Sequence, residues 1–151
     1  MNSKSKDLYI NWVLVNELAV GALPNKESHL SILKQFKIRS IISLCDSDEG
    51  QIPAVIQKEF ICKKYVLPDH RSKKIPTLDQ IKTCINLVEE LLNNGPVYIH
   101  CFAGVERSPM VCMAYLITHR NLDLQNTLEY MMQIHPRTNP LKGQLEILDK
   151  L

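Results

Sequence analysis

Apolar residues along this chain follow two spacings. Continuous short runs, Arg39 to Leu44, Phe60 to Val66 and Pro96-Val97-Tyr98-Ile99-His100, read as strands. Between the last two, Ile81, Cys84, Ile85, Val88 and Leu91-Leu92 recur at helical spacing and form one buried stripe. Thr77-Leu78-Asp79-Gln80 ahead of that stripe is a capping box, and Asn94-Gly95-Pro96 stops it, so a long helix is expected from Thr77 to about Leu92. A second amphipathic helix is expected over Arg107 to His119, with Met110, Cys112, Met113, Tyr115 and Leu116 as core. Strands alternating with helices, without repeats, low-complexity tracts or linkers, predict one α/β domain over residues 1–151. Its expected form is a mostly parallel central sheet flanked by helices.

The junction between the strand ending at His100 and the helix starting at Arg107 carries the chemistry. It reads His100-Cys101-Phe102-Ala103-Gly104-Val105-Glu106-Arg107-Ser108-Pro109. A strand-to-helix turn can aim successive backbone N–H groups, and the positive end of a helix dipole, at one tetrahedral dianion. The same field favours a thiolate on Cys101. Ala103 and Gly104 keep the loop small where backbone must approach the anion, and Arg107 offers a planar fork for two phosphate oxygens. Ser108 is placed to donate its hydroxyl to the sulfur. His100, the last strand residue, faces the other way and reads as an orienting core histidine.

On these residues the chain resembles the cysteine-based protein tyrosine phosphatase superfamily, and within it the small, atypical dual-specificity phosphatases, whose signature is His-Cys, five residues, then Arg and Ser or Thr. The resemblance covers nearly the whole chain. Leu18-Ala19-Val20-Gly21 and Ile38 to Leu44 look like the family's opening strands, with a helix Ser28 to Phe36 between them. Asp123 to Ile134, then His135-Pro136-Arg137-Thr138-Asn139-Pro140, look like the helix and turn leading to the last helix. The resemblance implies a phosphatase-type strand-loop-helix active site with Phe102 to Arg107 as phosphate-binding loop. It also implies a cysteinyl-phosphate intermediate on Cys101.

Such a reaction needs an acid, because the departing oxygen is a poor leaving group unless protonated. Asp69, in Val66-Leu67-Pro68-Asp69-His70 and 32 residues before Cys101, fits the loop position and matches the family's acid in type and separation. Asp46 and Asp48, after the strand Arg39 to Leu44, compete for the role. No metal and no cofactor are required, since loop N–H groups and Arg107 meet the charge of a loose transition state.

Two residues depart from the commonest pattern. Glu106 puts a carboxylate beside Arg107, where it would oppose a dianion, and is expected to turn away toward a basic group or backbone donor. The Glu-Arg pair also occurs in rhodanese-like sulfurtransferases, which supplies a rival class. Cys45 ends its strand where some relatives carry a cysteine able to bridge the oxidised nucleophile. Both a reversible Cys45–Cys101 disulfide and an inert buried Cys45 remain open.

Composition adds limits. A chain of 151 residues with 45% apolar content can build a full core. Five cysteines at irregular spacing suit a reducing compartment and show no metal-ligand pairing. The apolar stretch after Lys4 and Lys6 is broken by Asn11, Asn16 and Glu17, so neither a signal peptide nor a membrane span is expected, and the expected setting is cytoplasmic, as a monomer.

The net charge is only +2, yet basic residues cluster at His70, Arg71, Lys73 and Lys74 and again at His135, Arg137 and Lys142. Facing the pocket, they would favour a substrate with more than one phosphate, such as an inositol phosphate or phosphoinositide. Nucleic acid is not expected, because no basic helix or aromatic-lined sheet accompanies them. The partner is therefore a phosphorylated protein or a small phosphoester. The leading reading is a protein tyrosine or dual-specificity phosphatase. A sulfurtransferase and a non-catalytic phosphate-binding protein are the alternatives.

Overall fold

The computed structural model describes residues 8–151. Lys4 and Lys6 lie outside the described residues. Five strands form one sheet: β1 (Ile10–Leu14), β2 (Leu18–Gly21), β3 (Ser40–Ser43), β4 (Ile61–Lys64) and β5 (Val97–His100), in the order β1-β2-β5-β3-β4. β1 runs antiparallel to β2, and every other pairing is parallel. The helices are α1 (His29–Gln35), α2 (Ala54–Gln57), α3 (Leu78–Leu92), α4 (Arg107–Arg120), α5 (Leu124–Ile134) and α6 (Lys142–Leu148).

Central placement of β5 explains its composition. It is buried on both faces, as strands between two parallel neighbours are. Val97 and Ile99 enter the core beneath α3 to α6, whereas Tyr98 enters a second core with Ile32, Leu33, Ile41 and Ile56. The expected stripe on α3 holds for Ile81, Cys84, Ile85, Val88 and Leu91, and both halves of the Thr77–Gln80 capping box form.

Three expectations need correction. The strand expected over Phe60 to Val66 shortens to Ile61–Lys64 and is an exposed sheet edge, with lysines that discourage further pairing. The first strand, Ile10–Leu14, was missed: Asn11 and Trp12 obscure its alternation, and the register shifts between Trp12 and Leu14. The helix after the loop is not amphipathic over its first turns. Residues 107–116 are all buried, because α4 is packed by α3, α5, α6 and the sheet.

Parallel register sets up the site. Gly21, His100 and Ser43 are partners across β2, β5 and β3, so the chain leaves all three strands at the same sheet edge. That edge, at the carboxyl ends of adjacent parallel strands, is where open α/β sheets bind ligands.

Candidate active site

Cys101 follows β5 directly and is almost completely buried. Its Sγ accepts the Gly104 N–H at 3.3 Å and lies 3.2 Å from Ser108 Oγ. Ser108 is also 3.2 Å from the Gly21 carbonyl, so its hydroxyl can turn to either acceptor. Gly104 takes φ +74°, and a Cβ there would stand 2.6 Å from Gly21 C and 2.8 Å from Ala22 N. Only glycine fits this crossing of two backbones.

Arg107 opens α4 and is 3% exposed. Glu49 holds it at two points, Nη2 to Oε1 at 2.5 Å and Nη1 to Oε2 at 3.0 Å. Burial works against the guanidinium charge, but the Glu49 carboxylate outweighs it and keeps the pKa raised. The same bond, aided by the Asp46 N–H, holds Glu49 below the ordinary carboxylate range despite burial. Arg107 Nε is buried and has no partner. A buried donor without an acceptor calls for explanation by a ligand or function.

Glu49 was not foreseen. Of the neighbouring carboxylates that compete for the acid role, Asp46 caps the 3-10 turn Ser47–Glu49 and Asp48 is exposed, while Glu49 completes the capping box and reaches Arg107. An acidic run after a predicted strand was the available signal.

Asp69 lines the same cavity, of about 330 Å³, as Cys101, Phe102, Ala103, Val105, Glu106, Arg107, Glu49, His70 and Arg71. It caps the 3-10 turn His70–Ser72 and bonds the Arg71 Nε and N–H groups. Burial pushes its pKa up, but the bonds to Arg71 prevail and leave it lowered. His70 Nδ1 is 2.7 Å from Asp69 Oδ1 and 3.5 Å from Glu106 Oε2. Glu106 does find a basic partner as expected. It does not leave the pocket to do so, and its Oε1 is buried and unpartnered. Asp69, His70 and Glu106 are the one group with metal-ligand chemistry among the described residues, with ligand atoms within 4.8 Å of one another.

The basic rim divides. His70 and Arg71 line the cavity; Lys73, Lys74 and Arg137 are exposed and are not part of its lining. Arg137 lies over the Tyr9 ring, 4.6 Å from its centroid. His135 is not a rim residue at all, being fully buried beneath the loop. Phe102 is half-exposed at the mouth. His100 is buried as expected, with Nδ1–H donating to Cys101 O at 2.9 Å and Nε2 2.6 Å from Ser43 Oγ. Cys45 is a free, buried thiol pushed up to about 12, by burial first and the Glu49 charge second.

This fold and loop define a phosphatase-type α/β domain, and the comparisons agree. Residues 22–150 match the family model "Dual specificity phosphatase, catalytic domain". The chain belongs to that family. It is 25% identical over 141 residues to the phosphatidylglycerophosphate phosphatase PTPMT2 of Arabidopsis thaliana, covering 92% of this chain and 61% of the relative. It is 29% identical over 115 residues to dual specificity protein phosphatase 15 of Mus musculus, covering 76% and 46%. The chain thus spans less than two-thirds of the length of these curated relatives. Among solved structures, PTPMT1 in complex with PI(5)P superposes with a TM-score of 0.81 at 21% identity, over 94% of this chain and 93% of that one, a likeness of fold. No helix among the described residues is long and apolar enough to cross a membrane.

Proposed function

We propose that this protein is a cysteine-dependent phosphoester hydrolase of the protein tyrosine and dual-specificity type. The observation that carries the reading is Arg107, which lines the same cavity as Cys101: it is buried, gripped at both Nη atoms by Glu49, and left with an unpartnered Nε. A phosphoryl oxygen is the acceptor this donor lacks.

The reaction runs in two steps. Cys101 thiolate attacks phosphorus, the bond to the substrate oxygen breaks, and Asp69 gives that oxygen its proton. Water then attacks the cysteinyl-phosphate, Asp69 takes its proton, and inorganic phosphate and thiolate are released. Loop N–H groups and Arg107 carry the equatorial charge throughout. Ser108, turning its hydroxyl from Gly21 O to Sγ, stabilises the sulfur as attacking and leaving group.

A second reading is favoured by Arg71 at the cavity wall, which suits a further phosphate, as on an inositol phosphate or phosphoinositide. The names of the relatives include a phosphatidylglycerophosphate phosphatase and a complex with PI(5)P. Phosphate release from a phosphotyrosyl peptide and an inositol polyphosphate, compared as kcat/KM under reducing conditions with Cys101→Ser as blank, decides between them. Thiosulfate turnover without phosphate release would make the protein a sulfurtransferase instead. Tight phosphate binding without Cys101-dependent release would make it a binding protein.

The reading includes a reducing, cytoplasmic setting, supported by five free cysteines, and a monomer. It leaves Cys45 as a redox partner to be tested. Oxidised to a sulfenic acid by peroxide, Cys101 would be attacked by the Cys45 sulfur with loss of water. Cys45 is slow to ionise at about 12, so over-oxidation of Cys101 competes. Peptide mapping after peroxide treatment separates a Cys45–Cys101 disulfide from a sulfinic Cys101.

A further inference from the structure

Backbone N–H groups can face an anion only if the carbonyls of their own peptide planes face the opposite way. Buried carbonyls turned outward must find donors of their own. Four carbonyls of the loop have them. His100 Nδ1–H donates to Cys101 O at 2.9 Å, and the Leu23 N–H to Phe102 O at 3.0 Å. His135 Nε2–H donates to Gly104 O at 2.7 Å, and the Asn139 N–H to Val105 O at 2.8 Å. Each bond turns the next N–H, on Phe102, Ala103, Val105 and Glu106, away from its anchor.

The peptide after Gly104 is the easiest of these to lose. Glycine lacks the Cβ that resists rotation of its peptide planes, and Gly104 already sits at φ +74°. A flip there would aim a carbonyl where the Val105 N–H had pointed. The group holding that carbonyl is a side chain from 31 residues further on.

His135 is built for this one bond. It is fully buried at the C-terminal end of α5. Nδ1 accepts from the Asn11 amide at 2.8 Å, which places the ring proton on Nε2, facing Gly104. Tyr9 stacks on the ring with centroids 4.1 Å apart, and the Tyr9 hydroxyl accepts the Arg137 N–H at 2.9 Å. Burial lowers the imidazole to about 4, so the ring is neutral, with a single N–H, throughout the neutral range.

We propose that His135 is a positioning residue for the phosphate-binding loop: its Nε2–H holds the Gly104–Val105 peptide so that the Val105 N–H is presented to the phosphoryl group, and Asn11 fixes the tautomer that does so. The proposal rests on the phosphatase reading. A single preorganised donor of this kind is worth about 10²–10³ in kcat.

The test compares His135→Leu, which fills the site without a donor, with His135→Gln, whose amide can reach the same carbonyl. Both are checked for folding by thermal melts, then measured for kcat and KM on p-nitrophenyl phosphate and for tungstate inhibition. The Leu variant is expected to lose about 10²-fold in kcat and about tenfold in tungstate affinity, with the Gln variant restoring most of each. A folded Leu variant within twofold of the parent in both, or Leu and Gln variants equally impaired, overturns the proposal.

Nuclear magnetic resonance on the parent protein stands independently of whether the variants fold. The expected result is a neutral Nε2–H tautomer for His135 and a Val105 amide that shifts on tungstate addition. An Nδ1–H tautomer, or a Val105 amide that stays still while its loop neighbours move, overturns the role of His135 and leaves the phosphatase reading intact. Turnover undiminished in Cys101→Ser would instead overturn the reading on which the proposal rests.

Discussion

Glu49 meets Arg107 with both carboxylate oxygens, at 2.5 and 3.0 Å, across 58 residues of sequence and almost wholly out of water. The pair occupies both Nη atoms and fixes the plane of the guanidinium, while Nε stays without a partner. Its cost is that neither partner tolerates loss of the other, since breaking a buried ion pair destabilises by about 3–5 kcal/mol. Glu49→Ala is expected to lower stability by about that much in urea unfolding. Glu49→Gln, keeping shape and one acceptor, is expected to fold and to lose about tenfold or more in kcat/KM, chiefly through KM. Unchanged KM in a folded Gln variant would refute the positioning role.

Asp69 is held in its charged form by Arg71, the wrong protonation state for an acid. Weakening that hold should make it a better acid at higher pH. In Arg71→Ala the carboxyl pKa rises, a larger fraction is protonated at any given pH, and the descending limb of kcat/KM moves to higher pH. Asp69→Asn should cost about 10²–10⁴ with an alkyl phosphate, whose leaving oxygen needs the proton, and far less with p-nitrophenyl phosphate. Equal losses on both substrates would remove Asp69 from the acid role.

Gly104 gives a steric prediction. A methyl group there would press on the backbone of Gly21 and Ala22, neither of which can give way without shifting β2. Gly104→Ala is therefore expected to lose activity and at least about 1–3 kcal/mol of stability, as thermal melts and phosphate release would show; a folded variant with unchanged turnover would refute the close crossing.

What the sequence made legible was local. His100 to Ser108 could be read as strand, anion loop and helix because each signal lies within ten residues, and the Thr77–Gln80 capping box located the start of α3 to the residue. Contacts made across the fold were not legible. Nothing near Glu49 distinguishes it from Asp46 and Asp48; its partner is chosen by the register that brings the ends of β3 and β5 abreast. His135 reads as one more basic residue in a polar turn, and only the packing of α5 beneath the loop buries it. β1 escaped notice because its bulge breaks the period-two pattern on which strand prediction depends.

The two loop-anchoring histidines also set the acid stability of the fold. His100 is wholly buried between Cys101 O and Ser43 Oγ, and His135 between Gly104 O and Asn11. Burial lowers each to about 4 in the folded protein, against about 6.5 for an unconstrained imidazole. Between those values the unfolded chain binds more protons than the folded one, so stability rises with pH. The contribution is fully present above about pH 6.5 and is lost progressively as pH falls to about 4. At 1.36 kcal/mol per unit, each histidine accounts for up to about 3 kcal/mol, a large share of the roughly 5–15 kcal/mol that holds a domain together. Urea unfolding at pH 7.5, 6 and 5 should show the free energy falling steadily, and His135→Gln, with no titrating group at that position, should flatten part of the slope. A free energy that stays level from pH 6.5 to 4.5 in the parent protein would mean that these rings are not buried neutral beside the loop.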